Sequence, residues 1–320
     1  MRVVSVLCVA AIAFACDVAR AQPNRIDSVR TPPSAAATLS EFWTEERLRE
    51  ANPLPVPVAP DPGTPNPVFP SEPAPGGQRS GQPKGGPSSL GRGSNVSRLS
   101  GNVAARPLYW AGKFFFAKPE GPRVCSAQFV APGIVITAAH CIRDDNTGQW
   151  YSNLLYRHQY DRGRSGRDFG TECFATYNGW VSQENSRWEW DFAIIKLRGG
   201  ADQGHFGWQW GWWGNYNDAP KIGYPGAIEQ GQIIQVEFGR LIKGRTPRII
   251  GLVHGNPRNA EGSSGGAWVG KYETSGNNPQ ANFIISVTSH HLGDDRGTTY
   301  GPYWGDDMER LLNYVKRGCR

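Results

Sequence analysis

Short apolar runs, separated every few positions by turn residues, constrain what this chain can fold into. Between residues 106 and 320 such runs stand at 113–116, 126–130, 134–138 and 192–197, then at 233–238, 248–253, 267–269 and 283–287. Runs of this length, with Gly, Pro, Asn and Asp between them, read as strands rather than helices. The 215 residues involved suit two small β-barrels better than one large core. The expected fold class is therefore all-β, with a first barrel over about 106–200 and a second over about 201–305. One helix is expected at the end, over about 306–317. There Met308, Leu311, Leu312 and Val315 share a face, Asp306 and Asp307 suit the positive start, and Lys316-Arg317-Gly318 suits the end.

The first hundred residues are a different material. Residues 1–21 have the layout of a secretion signal, with Arg2, an apolar stretch from Val3 to Ala15 too short to span a bilayer, and an Ala19-Arg20-Ala21 cleavage site. A lipoprotein site at Cys16 is the weaker reading, because Phe14 puts a bulky ring where small residues are preferred. No later segment is apolar and long enough for a span, so a secreted or periplasmic chain with no membrane contact is expected. Twelve prolines fall in the 36 residues from Asn52 to Pro87, followed by Gly- and Ser-rich chain to Gly101. Such a composition cannot bury enough apolar surface to offset ordering, so residues 22–105 are expected to be mostly extended or disordered. One short helix is expected over 39–50, capped by Ser40. The segment reads as a propeptide, or else a linker, with Arg92, Arg98 and Arg106 as candidate cleavage points.

Export fixes the redox setting. Cys8 and Cys16 leave with the signal, and the remaining Cys125, Cys141, Cys173 and Cys319 suggest two disulfides. The net charge of +6 comes without a basic run or nucleic-acid motif, so no nucleic-acid partner is expected.

Three blocks carry chemistry. His140 follows an apolar strand in Thr137-Ala138-Ala139-His140-Cys141, Asp191 opens another in Asp191-Phe192-Ala193, and Ser264 sits among glycines in Gly262-Ser263-Ser264-Gly265-Gly266. A serine hydroxyl becomes a useful nucleophile at neutral pH only when an imidazole can take its proton. A carboxylate on the far ring nitrogen fixes the tautomer and stabilises the imidazolium. The glycines let the amides of Gly262 and Ser264 point at one spot, where an oxyanion would form. Gly-x-Ser-x-Gly also matches the nucleophile elbow of α/β-hydrolases, but that fold needs an acid and then a histidine after the serine. Only Glu273 lies between Ser264 and His290, and Ala267-Trp268-Val269 reads as a strand where the elbow needs a helix.

These three blocks resemble the chymotrypsin-fold serine peptidases, nearest the bacterial secreted branch that includes the glutamyl endopeptidases. The resemblance runs from about Arg106 to the C-terminus. It implies two six-stranded antiparallel barrels of the chymotrypsin type, with the terminal helix packed on the second. It implies catalytic roles for His140, Asp191 and Ser264 and an oxyanion hole at Gly262 and Ser264. It also implies a Cys125–Cys141 bridge clamping the histidine loop, which leaves Cys173 with Cys319. Arg258, six residues before Ser264, falls where the trypsin branch places the floor of the S1 pocket. Of His290 and His291, only one of which can look inward, resemblance to the His-x-Gly segment of the glutamyl endopeptidases points to His290. Together they suggest Glu or Asp at P1. Ser263 stands where digestive enzymes carry an Asp, so activation through an N-terminal ion pair is not expected, and relief of a blocking prosegment is.

The expected partners are protein or peptide substrates, acting on a monomer. Neither a cofactor nor a catalytic metal is expected: His290 and His291 adjoin Asp294 and Asp295, but neighbouring strand side chains diverge. Trp208, Trp210, Trp212 and Trp213 read as a strand packing one face inward. Their alternative use is the stacking surface of a catalytically silent, peptidase-like binding protein.

Overall fold

The computed structural model describes residues 22–60, 76–84, 98–183, 186–256, 263–293 and 295–320. The expected signal, Arg92, Arg258, Gly262 and Asp294 lie outside them. No helix among the described residues is long and apolar enough to cross a membrane.

The first half closes into a six-stranded antiparallel barrel. Ser152–His158, Ala111–Lys118, Gly121–Ala131, Ile134–Thr137, Ala193–Leu197 and Arg167–Tyr177 are hydrogen-bonded in that order. Arg167–Tyr177 then pairs back on Ser152–His158. The strand-forming run Phe114-Phe115-Phe116 lacks alternation because both its faces are covered, each ring being fully buried. One face fills the barrel; on the other, Trp43 from the N-terminal segment meets Phe115 edge-on at 5.6 Å.

The second half is a sheet in which Asp295–Pro302, Ile249–Val253, Gln235–Lys243, Asp218–Gly223, Ala267–Gly270 and Phe283–Val287 are neighbours in that order. The chain leaving Phe283–Val287 runs on into His290–Leu292, which pairs with Asp295–Pro302. One bent run thus borders both ends, and the second barrel closes through it. Gly207–Trp210 extends this sheet beside Phe283 and Ile284. Trp208 and Trp212 are 2% and 0% exposed and are packing groups, while Trp210 and Trp213 are half-buried.

The C-terminal helix spans Asp307–Lys316 and buries Met308, Leu311, Leu312 and Val315. Its place differs from the expectation: it lies against Arg167–Tyr177 and Ala193–Leu197 of the first barrel. Tyr177 Oη donates to the Asp307 carbonyl at 2.8 Å, and the Cys173–Cys319 disulfide ties the end of the chain to the same strand. Cys125 and Cys141 form the other bridge.

The described part of the N-terminal segment is not disordered. Ile26–Arg30 adds antiparallel to the first barrel at Cys173–Tyr177, and Gly77–Arg79 adds to Gly207–Trp210. Instead of one helix capped by Ser40 there are two, Ala35–Phe42 and Glu45–Glu50. Thr44 Oγ1 caps the second through the Arg47 amide. The composition argument holds for the segment alone; docked on preformed barrels, it draws on their edges and apolar faces, which supply the ordering free energy.

Both barrels hold neutral histidines. Burial, with help from Arg167, pushes His158 down to about 4. Burial, Lys221 and His291 push His254 down to about 3. Both values lie below the ordinary histidine range, so the unfolded chain takes up these protons first. Their contribution to stability is complete above about pH 6.5 and is lost as the pH falls toward about 3. The urea midpoint is expected to drop between pH 7 and pH 4.5, and His158→Gln is expected to flatten that drop; a midpoint unchanged by pH would contradict this.

Candidate active site

The register of one strand pair brings two of the three candidate residues together. In the ladder between Ile134–Thr137 and Ala193–Leu197, Ala193 lies opposite Thr137. His140 comes three residues after Thr137, on the 3-10 turn Ala139–Cys141, and Asp191 two residues before Ala193, so both overhang the same barrel end. The Cys125–Cys141 bridge fixes the turn immediately beside His140.

Asp191 is fully buried and accepts three hydrogen bonds. The His140 amide donates to Oδ1 at 2.9 Å, the His140 ring donates from Nδ1 to Oδ2 at 2.7 Å, and Ser289 Oγ donates to Oδ2 at 2.6 Å. Burial alone would push the carboxyl up. The adjacent His140 ring, its ring and backbone N–H groups and the Ser289 hydroxyl outweigh that, and hold Asp191 below the usual carboxylate range. With Nδ1 carrying the proton, His140 presents Nε2 as a base.

Ser264 is delivered by a turn that only glycine permits. Gly265 has φ +73°, and a Cβ there would stand 2.1 Å from Thr137 Oγ1 and 2.8 Å from the Ala138 nitrogen. The turn is thereby pressed onto the strand end that leads into His140. Gln128 straps it down, donating to the Gly265 carbonyl at 2.9 Å and accepting from the Ala267 amide at 3.0 Å. The Ser126 amide holds the Ser264 carbonyl at 2.8 Å. Ser264 Oγ and His140 Nε2 are both buried, and neither has a hydrogen-bond partner among the described residues. Catalytic hydrogen bonds are often open in the free enzyme and tighten around substrate.

Ser289 escaped the sequence reading because no motif marks it; only its place just after the Phe283–Val287 strand aims it at Asp191. It also settles the state of His290. Asp191 is ionised, so Ser289 must give it its single hydrogen and accept the 2.9 Å bond from His290 Nδ1. Burial, His291 and His140, against the Asp191 charge, push His290 down to about 3. Its ring lies 4.5 Å from Trp188 and 5.6 Å from Tyr300, on the wall of a cleft of about 600 Å³. His290 thus lines this cleft, with its Nδ1 bound to Ser289. His291 turns elsewhere, donating from Nδ1 to the Thr298 carbonyl at 2.7 Å. Cys125, His140 and Cys141 bring potential ligand atoms within 4.8 Å of one another, but the two sulfurs are spent in a disulfide and offer no thiolate to a metal.

No protein-family model matches the chain, and no curated protein sequence matches it. Solved structures do. The protease Anisep from Arthrobacter nicotinovorans is 24% identical, over 68% of this chain and 98% of that one, with a TM-score of 0.56. A thermostable serine protease, AL20, from an extremophilic microorganism is 26% identical over 65% of this chain and 97% of that one, with a TM-score of 0.55. A Glu endopeptidase is 16% identical over 70% of this chain and 98% of that one, also with a TM-score of 0.55. With its closed six-stranded barrel, second sheet and terminal helix, the chain has the chymotrypsin fold of the bacterial serine peptidases, and the likeness supports a protease function.

Proposed function

We propose that the chain is a secreted serine endopeptidase, made as a precursor, with Ser264 as nucleophile, His140 as general base and Asp191 as the group that orients it. The observation that carries this reading is the paired hold of Asp191 on the amide and ring of His140, together with a buried Ser264 hydroxyl and a buried His140 Nε2 that have no hydrogen-bond partner among the described residues. The fixed tautomer leaves Nε2 to take the Ser264 proton as Oγ attacks the scissile carbonyl. The same proton then passes from Nε2 to the leaving amine, and water repeats the cycle on the acyl-enzyme. The amides of Gly262 and Ser264 are assigned to the oxyanion, each donor being worth about 3–4 kcal/mol. The two disulfides fit an oxidising, extracellular setting.

A preference for Glu or Asp at P1 belongs to the same reading. Arg258, six residues ahead of Ser264, and His290, on the cleft wall, are the residues assigned to it.

Three outcomes are expected. A fluorophosphonate probe should label the active enzyme at Ser264, and Ser264→Ala should abolish labelling and lower kcat by about 10⁶-fold; labelling that survives the substitution would contradict the assignment. Ser289→Ala should lower kcat about tenfold with little change in KM, since one hydrogen bond to a charged group is worth about 1.5 kcal/mol; an unchanged kcat would remove Ser289 from the account. Across chromogenic peptides that differ only at P1, Glu should be cleaved fastest, and equal or faster cleavage after Arg or Phe would rule out the acidic preference.

A further inference from the structure

Residues 52–60 read Asn-Pro-Leu-Pro-Val-Pro-Val-Ala-Pro. Prolines at alternate positions hold such a stretch extended before it meets anything, and they strip amide donors from one edge while leaving its carbonyls. That edge meets two backbone amides of the second barrel. The His291 amide donates to the Pro57 carbonyl at 3.0 Å and the Gly293 amide to the Ala59 carbonyl at 3.2 Å. A few residues earlier the same stretch is fastened to the first barrel, where the Leu54 amide donates to the Val124 carbonyl at 3.0 Å. Leu54, Val56 and Ala59 are 8%, 3% and 3% exposed.

The two anchors flank the proposed catalytic residues. Val124 adjoins Cys125, which is bonded to the neighbour of His140. His291 follows Ser289, which holds Asp191. Leu54 and Pro57 are three residues apart, a reach of about 10 Å, so the chain between them crosses from one barrel to the other beside the site. His140 is 4% exposed and Ser264 is 0% exposed. A hydroxyl so enclosed does not meet a substrate.

Direction is the informative feature. His140 must hand its proton to the leaving amine, which belongs to the residue after the scissile bond. His140 stands on the first barrel, so a productive substrate has its downstream half there and its upstream half along His290–Leu292 of the second. Residues 52–59 run the other way: Asn52 and Pro53 pair with Arg123 and Val124 of the first barrel, and Val58 and Ala59 pair with His291 and Leu292 of the second.

We propose that residues 52–59 are a built-in inhibitory strand, threaded through the substrate cleft backwards. It occupies the backbone donors that a substrate needs, and its reversed polarity keeps each amide nitrogen away from His140, so it blocks the enzyme without being cut. The inference rests on the reading of Ser264 and His140 as nucleophile and base.

The test uses the full chain and a Val56→Asp/Ala59→Asp variant, which puts two carboxylates at enclosed positions of the strand. Fluorophosphonate labelling is expected to run about tenfold or more faster in the variant, as the open form becomes the populated one. Amide hydrogen exchange at His291 and Gly293 is expected to rise with it, while the barrel strands stay protected. Equal labelling rates, with Ser264→Ala blank, would overturn the inhibition and leave the nucleophile standing. Absence of labelling in both chains, despite faster exchange in the variant, would overturn the nucleophile and the inhibition with it. Unchanged exchange at His291 and Gly293 would overturn the pairing. Self-cleavage between residues 52 and 60, read by mass spectrometry, would overturn the reversed direction.

Discussion

A carboxylate with no exposure to water is the point on which the rest of this structure turns. Removing such a charge from water is strongly unfavourable unless hydrogen bonds replace the lost hydration. Asp191 receives three, and their sources define the architecture. Two come from His140, on a turn of the first barrel. The third comes from Ser289, on the bent run that closes the second. One side chain therefore orients the imidazole and couples the two barrels at the cleft between them.

Much of this was written in the chain. The strands around His140 and Asp191 were legible because 134–138 and 192–197 are apolar runs flanked by turn residues. The terminal helix was legible from the shared face of Met308, Leu311, Leu312 and Val315. Strands such as Ser152–His158 and Arg167–Tyr177 were not, because they mix charged and aromatic residues without alternation. Partners far along the chain decide which of those faces is covered. Ser289 and the seat of the terminal helix were hidden for the same reason: Asp191 lies 98 residues from Ser289, and the Cys173–Cys319 bridge spans 146. The hydrogen bond between Ser289 and His290 was hidden as well, since no motif marks it.

The N-terminal segment shows how composition misleads when a chain folds on a surface already present. Residues 52–60 bury little by themselves, and the prolines exclude them from the middle of a sheet. Those same prolines hold the segment extended, so that its carbonyls meet the amides of a neighbouring strand. Sequence composition reports what a segment can do alone, while the outcome depends on which edges of the barrels lie open beside it.

The central claim is that buried Asp191 fixes the proton of His140 on Nδ1 and leaves Nε2 as a base toward Ser264. Nitrogen-15 NMR of imidazole-labelled protein near pH 8 tests it most directly. The account predicts a protonated Nδ1 and a bare Nε2 on His140, with both signals shifting in Asp191→Asn. A His140 ring carrying its proton on Nε2 in the unsubstituted protein would contradict it.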